Sequence, residues 1–589
     1  MGHSMAQIQS SGHQATLGRP RPGHAIIKGI MSTITSEPVR HKFLYHKFIY
    51  SETGRIRALF WPGTITAVVI GIGLAYCIWY GLTQRSVSGD DGISILAAQG
   101  ILEHGYPRLA SGFIYYRGFI PNYLVAAAIW ALGLNDFAIM LPSLLMAAGS
   151  SILAYLFARD VLGRPLIGLL SAALLLTLDA QLFYASSPRM YMGLQFFTIL
   201  AAYSGWRGYI RGQVKFQWVT LLAIAGAFLS QEQGEVLVVA IPAAVIGIRW
   251  FQGKDRVPVN FSLTVISLLV LGTVVGFLHF YPLPDNLPPI AAHSGAERDV
   301  VGINTDIYVW AKHVGWLERT VPFGVMLSPV LAVLLFRAFR ERHTQQGQSF
   351  IYAATILILC ALAIATVIQT SQSRFWLFLV PIYVTVLWLG VFELVKYLKE
   401  PRSGQAVPFW RKRYLVVSGL VGWAIIVFFI VHFAYFRLAY LELVAEAYGW
   451  PCASPTAECS IVVKNQYAAL KPVVKDTDLI IASNPWVTNY YLGRVDAYYR
   501  ERIENKTFTT FDSPTDEYLG ISFVDSPQKI RDLANSQRRV WILSDFKSRL
   551  FVSEASRNLV QETFDIYDEG TVMTIYVNHL TDSDTGPSR

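Results

Sequence analysis

The sequence predicts a polytopic α-helical membrane protein that ends in a small soluble α/β domain. Three observations predict this. The 589 residues are 53% hydrophobic and only 15% charged, where a soluble domain carries about 25% charge. Apolar runs of spanning or near-spanning length recur as far as residue 436, separated by short basic loops. Beyond about residue 438 the runs stop, and short β-type segments alternate with a helical one. The net charge of +9 falls in the short loops, which marks cytoplasmic segments and argues against a nucleic-acid partner.

Residues 1–61 are polar at their start, rich in Gly, Ser and His, and carry Arg19, Arg21, Lys28, Arg40, Lys42, Lys47, Arg55 and Arg57 against Glu37 and Glu52. They lack the apolar core of a signal peptide and read as a largely disordered cytoplasmic tail. The apolar runs begin at 62–83 and continue at 138–157, 166–183, 190–206, 217–231, 235–250, 259–281, 321–337, 350–370, 375–395 and 414–436. The basic loops at 158–164, 207–215, 249–256, 337–343 and 396–413 should all face the cytoplasm. They do so only if the run "FIPNYLVAAAIWALGL" at 119–134 lies in the interface or re-enters; if it crossed, every later basic loop would face the wrong way. The expected architecture is therefore about 11 spans in a membrane domain at 62–437, with an external loop at 84–137. The N-terminus is cytoplasmic, and residues 438–589 lie on the exoplasmic side of the cell (plasma) membrane.

In that last region "TDLIIAS" and "RRVWILSD" read as buried strands, "SPQKIRDLANSQ" as an amphipathic helix and "FDIYDEGTVMTIYVN" as a closing hairpin. Alternation of strand and helix predicts a largely parallel sheet. There is no Gly-rich phosphate loop and no evident internal repeat. Cys77 and Cys360 fall inside apolar runs and read as packing residues, whereas Cys452 and Cys459, with six residues between them, are either a small disulfide loop in an oxidising compartment or two free thiols.

The polar residues gather on the external side. Asp90 and Asp91, in "SVSGDDGISILAAQGILEHGYPRL", follow the first span. A carboxylate there can act as general base on an acceptor hydroxyl while its neighbour hydrogen-bonds; the bland reading is a helix cap. Ile93, Leu96, Ala97 and Ile101 then recur at helical spacing, which predicts a helix lying flat on the membrane. Arg189, in "SSPRMYMGLQFF", and Arg374, in "SQSRFWLFLVP", each open a span from the external side. A guanidinium at headgroup height suits a phosphate, or else snorkels as an anchor. Tyr191 stands beside the first of these. Glu232 and Glu235 sit at a helix end, as candidate substrate ligands or as partners of the helix dipole. The long loop 282–320 carries His293, Glu297, Arg298 and Asp299 without a metal-binding spacing, and His293 is a further candidate substrate contact.

These residues in this order resemble the GT-C class of membrane glycosyltransferases, nearest the branch of protein O-mannosyltransferases and lipid A aminoarabinose transferases. The likeness is carried by the acid pair, "YYRGFIPNYLVAAAIWALGL", "LPSLLMAAGSSILAYLFARDVLGRPLIGLLSAALLLT" and "SPRMYMGLQFF". The resemblance implies a polyprenyl- or dolichyl-phosphate sugar as donor and inverting transfer on the exoplasmic face to a glycan, lipid or protein acceptor. It also implies an external-loop acid, here Asp90, as base. Arg189 and Arg374 would neutralise the leaving phosphate. The family pattern is Asp followed by Glu, where this chain has Asp91. The family often has Arg before "LPS", where this chain has Met140, and no β-trefoil insert fits. No cofactor is expected, and a divalent metal is not predicted.

Two other classes compete. A transporter of an envelope precursor would place ionisable groups near the bilayer midplane, but the span centres here are nearly free of charge. A non-catalytic envelope-assembly scaffold would leave the acid pair dispensable.

Overall fold

The structure is a computed structural model. It describes residues 52–252 apart from Tyr116, 328–367, 376–399, 457–501, and 515–578 apart from 517, 546, 547, 549, 550 and 571. The candidate spans at 259–281 and 414–436, the tail before residue 52, and Arg374, His293 and Cys452 lie outside the described residues, as does the side chain of Cys459.

Among the described residues, five helical segments are long and apolar enough to cross a membrane: Gly63–Thr83, Asp136–Asp160, Glu232–Phe251, Gln345–Thr366 and Leu377–Lys396. A sixth is formed if Pro165–Leu175 and Asp179–Ala185, bent by 67° at their junction, count as one span. The first segment belongs to α1 (Glu52–Thr83). After it come α2 (Gly89–His104), α3 (Phe119–Leu132) and α4 (Asp136–Asp160). Then come α5 (Pro165–Leu175), α6 (Asp179–Ala185), α7 (Tyr191–Gly205), α8 (Val214–Ser230) and α9 (Val236–Phe251). The bundle closes with α10 (Ser328–Arg340), α11 (Gln345–Val367) and α12 (Val380–Lys399). At 14 residues, α3 is about 21 Å long, short of the bilayer core of ~30 Å.

Helix α7 packs against α4, α8 and α9, and Leu194, Ile199, Trp206, Ile241 of α9 and Tyr352 of α11 share one buried core. Small residues permit this approach, as membrane helix packing requires. A Cβ on Gly205 would lie 2.5 Å from the Tyr352 hydroxyl, and one on Gly149 2.6 Å from the Phe196 ring. The buried amides of Gln181 and Gln195 exchange two hydrogen bonds of 2.9 Å, and Gln195 also donates to the Leu377 carbonyl.

The C-terminal region is built as the strand and helix periodicities predict. Its elements are α13 (Ala457–Leu470), β1 (Leu479–Ala482), α14 (Pro485–Leu492), β2 (Ala497–Tyr499), β3 (Ser522–Val524), α15 (Pro527–Ala534), β4 (Val540–Asp545), α16 (Glu554–Thr563), β5 (Asp565–Glu569) and β6 (Met573–Val577). The sheet order is β3-β2-β1-β4-β6-β5, parallel through the first four and antiparallel at β6 and β5. Asp478, buried just before β1, receives hydrogen bonds from Arg539 Nε and Nη2, from Trp541 Nε1 and from the Lys475 amide. These donors hold its carboxyl below the usual carboxylate range despite its burial.

One expectation is corrected. Helix α2 does not lay an apolar face on a lipid surface. Ile93, Leu96 and Ala97 pack against Trp486, Tyr498 and Phe523 of the C-terminal domain. Ile95, Ala98 and Ile101 pack against Val125, Ala126 and Ile129 of α3. The helix is apolar all round because it is covered on both sides by protein.

Candidate active site

The sequence SGDD starts α2 by a capping box. Ser88 is the extended N-cap residue, its hydroxyl accepting from the Asp91 amide while the Asp91 carboxylate accepts from the Ser88 amide. This separates two adjacent acids. Asp91 points inward and is 1% exposed. Its Oδ2 accepts from Arg85 Nη2 at 2.6 Å, from the Ser88 amide at 2.9 Å and from the Ser88 hydroxyl at 2.8 Å, and its Oδ1 accepts from the Ser187 hydroxyl at 2.5 Å. A carboxylate has about four acceptor positions, so Asp91 is saturated. Arg85 in turn lies 4.4 Å over the Phe183 ring and donates to the Phe183 carbonyl at 2.9 Å.

Asp90 points the other way, with 52% of its side chain in solvent and Oδ2 3.4 Å from Arg189 Nη2. Arg189, only 8% exposed, donates from Nη1 to the Asp90 carbonyl at 2.7 Å and to Ser94 at 3.4 Å, and its guanidinium sits 5.7 Å over the Tyr191 ring. Burial works against the charge of Arg189, but Asp90 and the neighbouring phenols outweigh it and hold the group protonated. Tyr115, buried beside Asp90, Arg189 and Arg117, has its phenol pushed up by desolvation, which the two guanidiniums only partly offset. It is therefore a hydrogen-bond donor at neutral pH.

The external loop brings in one more pair. Arg117 Nε lies 3.0 Å from Glu232 Oε1 at the break between α8 and α9. Its backbone is fixed by the turn at Gly118 (φ 67°), where the Asn122 side chain donates to the Arg117 carbonyl at 2.8 Å. Glu235 closes the same turn and is exposed.

Of the residues that the sequence singles out, Arg189 meets both Asp90 and Tyr191, and Glu232 pairs with Arg117. Arg85, Tyr115, Arg117 and Ser187 are additions. Arg117 had a legible signal, an arginine within "YYRGFIP" of the segment expected to be external; Ser187 had none. Met140, standing where the resemblance expects Arg, lines a small cavity of about 20 Å³ whose other walls include Arg85, Ser86, Asp91, Asp136 and Ile139. Arg85 is the cation there, and Asp91 already neutralises it. Among the described residues no three His, Cys, Asp or Glu side chains are grouped to hold a metal ion.

No family model matches the sequence, and no curated protein matches it. Solved structures do match. ArnT from Cupriavidus metallidurans bound to undecaprenyl phosphate superposes with a TM-score of 0.54 at 12% identity, over 89% of this chain and 99% of that one. The same enzyme in the apo state gives 0.54 at 12% identity, over 90% and 100%. The oligosaccharyltransferase of Archaeoglobus fulgidus, tethered with an acceptor peptide, gives 0.47 at 11% identity, over 91% and 75%. The chain thus shares the fold of the two ArnT structures over most of both chains.

Proposed function

We propose that this protein is an integral-membrane glycosyltransferase. It moves a sugar from a polyprenyl- or dolichyl-phosphate donor to an acceptor hydroxyl on the exoplasmic face, with inversion. The observation that carries the reading is the split of the acid pair: one carboxylate saturated and buried, its neighbour half in solvent and held against a buried arginine. The ArnT structure in which undecaprenyl phosphate is bound has the same fold, which supports a lipid-phosphate donor.

In this reading Asp90 takes the proton of the acceptor hydroxyl as its oxygen attacks the anomeric carbon. The bond from that carbon to the phosphate oxygen breaks, and the phosphate leaves with the electron pair. Arg189 stabilises the charge that develops on it. Tyr115 and Arg117 stand beside that position, and Arg374 is assigned to the same phosphate. Asp91 is a positioning residue, since it is buried and held by Arg85, Ser88 and Ser187. Tyr191 supports the Arg189 guanidinium, and Glu232, Glu235 and His293 are proposed contacts for sugar or acceptor. The lipid tail stays in the bilayer, so neither nucleotide nor cofactor is required. About 11 spans, a cytoplasmic N-terminus and an exoplasmic domain from about residue 438 place this site outside the cell.

The test is transfer from a radiolabelled polyprenyl-phosphate sugar in purified membranes. Asp90→Asn should lower it by roughly 10²–10⁴-fold with donor binding retained. Transfer at the wild-type rate in Asp90→Asn would overturn the assignment of the base. Absence of transfer from every donor in wild type would overturn the function.

A further inference from the structure

The C-terminal domain grips the loop that carries Asp90, and it does so at defined points. Helix α14 follows β1 directly, beside the place where the strand order reverses between β1 and β4. In open α/β sheets this edge forms the ligand crevice. Trp486 packs on Gly92, where a Cβ would come within 2.8 Å of the Trp486 Cβ and 3.0 Å of its carbonyl carbon. Gly92 is the residue after the acid pair.

Polar contacts extend the grip to both ends of the external loop. Lys464 of α13 donates to the carbonyl of Leu82, at the end of the first span, at 3.1 Å. The same ammonium pairs with Asp136, the first residue of α4. Tyr490 donates to the other oxygen of Asp136 at 2.6 Å. The Tyr491 hydroxyl accepts from the Val87 amide at 3.0 Å, one residue before the N-cap of α2. So the loop is held where it leaves the bundle, where it re-enters it, and at the first turn of the helix between. Burial and the carboxylate of Asp136 push the Tyr490 phenol well up, so it remains a donor throughout the physiological range.

We propose that α13 and α14 form a latch that sets the pose of α2, and that Lys464, Trp486, Tyr490, Tyr491 and Asp136 are positioning residues for the carboxylate of Asp90. The catalytic consequence rests on the function proposed above; the mechanical coupling does not. A displacement of about 1 Å at a reacting group can cost on the order of 10²-fold, so the latch should be read in kcat. Arg189 is carried by the bundle just before α7, and its side chain bonds to α2 through the Asp90 carbonyl and Ser94, so it can follow a small shift of α2 and donor binding should change less than kcat.

The experiment uses the full chain in lipid nanodiscs. The variants are Tyr490→Phe, Asp136→Asn, the double variant, and Gly92→Ala as a wedge between α2 and Trp486. Two readouts are taken: kcat and KM for a polyprenyl-phosphate sugar, and hydrogen exchange of the amides from 87 to 94. Loss of one hydrogen bond to a charged group should speed that exchange and lower kcat about tenfold. KM should stay within about twofold, and the double variant should be no worse than Asp136→Asn alone. Unchanged exchange in Tyr490→Phe and Gly92→Ala overturns the latch, as does faster exchange with unchanged kcat. Faster exchange in the variants, with no transfer from any donor by wild type, keeps the mechanical latch and removes the proposed reaction.

Discussion

Helix α4 begins at Asp136 and ends at Asp160, and the two ends of this one helix use the same residue types for different purposes. At the basic-loop end, Asp160 accepts from Arg159 at 2.6 Å, from Tyr203 at 2.8 Å and from Arg207 at 3.0 Å. Nearby Glu393, 5% exposed, takes Arg164 and Gln346 on one oxygen and Arg337 on the other. Carboxylates there are outnumbered by donors and act as cross-links between loops. At the acid-pair end, Asp136 and Asp91 are consumed in the same way. Asp90 is the departure, with half of its side chain in solvent and a buried guanidinium beside it. What separates Asp90 from the cross-links is thus its exposure to solvent beside a buried guanidinium, not the kind of residue.

That comparison breaks most sharply at the arginines. Arg189→Ala should lower transfer by about 10²–10³-fold, the usual effect of removing a donor to developing negative charge. Arg207→Ala, at the other end, should leave transfer rate per folded molecule unchanged and lower the thermal midpoint. Equal losses of transfer in both would show that the two ends do not differ in function. A smaller effect is expected at Glu393. Glu393→Gln leaves Arg164 and Arg337 without their charged partner, but both reach solvent, so the cost should be about 1–3 kcal/mol in stability, read by thermal unfolding in detergent. Loss of transfer with an unchanged midpoint would place a functional group at the basic-loop end and undo the contrast.

The sequence announces the features that are local. Strand alternation and the Ser88 cap each involve residues a few positions apart, and β1, β4, α15 and the β5–β6 hairpin lie where their patterns put them. The positive-inside bias, likewise a sum over short loops, flags Arg189 as an arginine on the unexpected side. The sandwiching of α2 is not local. Its cover comes from Trp486 and Tyr491, and the Val87–Tyr491 hydrogen bond spans 404 positions. An apolar helix covered by protein on both sides and one resting on lipid have similar compositions, and only tertiary contacts tell them apart. The division of labour within the acid pair was hidden for the same reason. Asp91 is saturated by Arg85, six positions away, and by Ser187, ninety-six away. A lone DD dipeptide carries no sign of which member turns inward.

The smallest expected effect is the most discriminating in sign. Arg117 and Glu232 form an ion pair at 3.0 Å, each side chain 27% exposed. If Arg117 receives the donor phosphate, Glu232 competes with that phosphate in the resting enzyme. Neutralising Glu232 should then tighten donor binding. A partly exposed pair is worth at most about 1 kcal/mol, so Glu232→Gln should lower the donor KM about two- to fivefold, with kcat little changed and the gain shrinking as salt is raised. If Glu232 instead binds a sugar hydroxyl directly, the same substitution weakens the contact and raises KM. Arg117→Gln separates the two further. It should raise KM in the first case and, in combination with Glu232→Gln, remove the gain that the single glutamine gave. A KM that rises in Glu232→Gln would move this pair from the phosphate side of the site to the sugar side. Asp90 and Arg189 would then remain as the exposed acid and buried guanidinium that define the site.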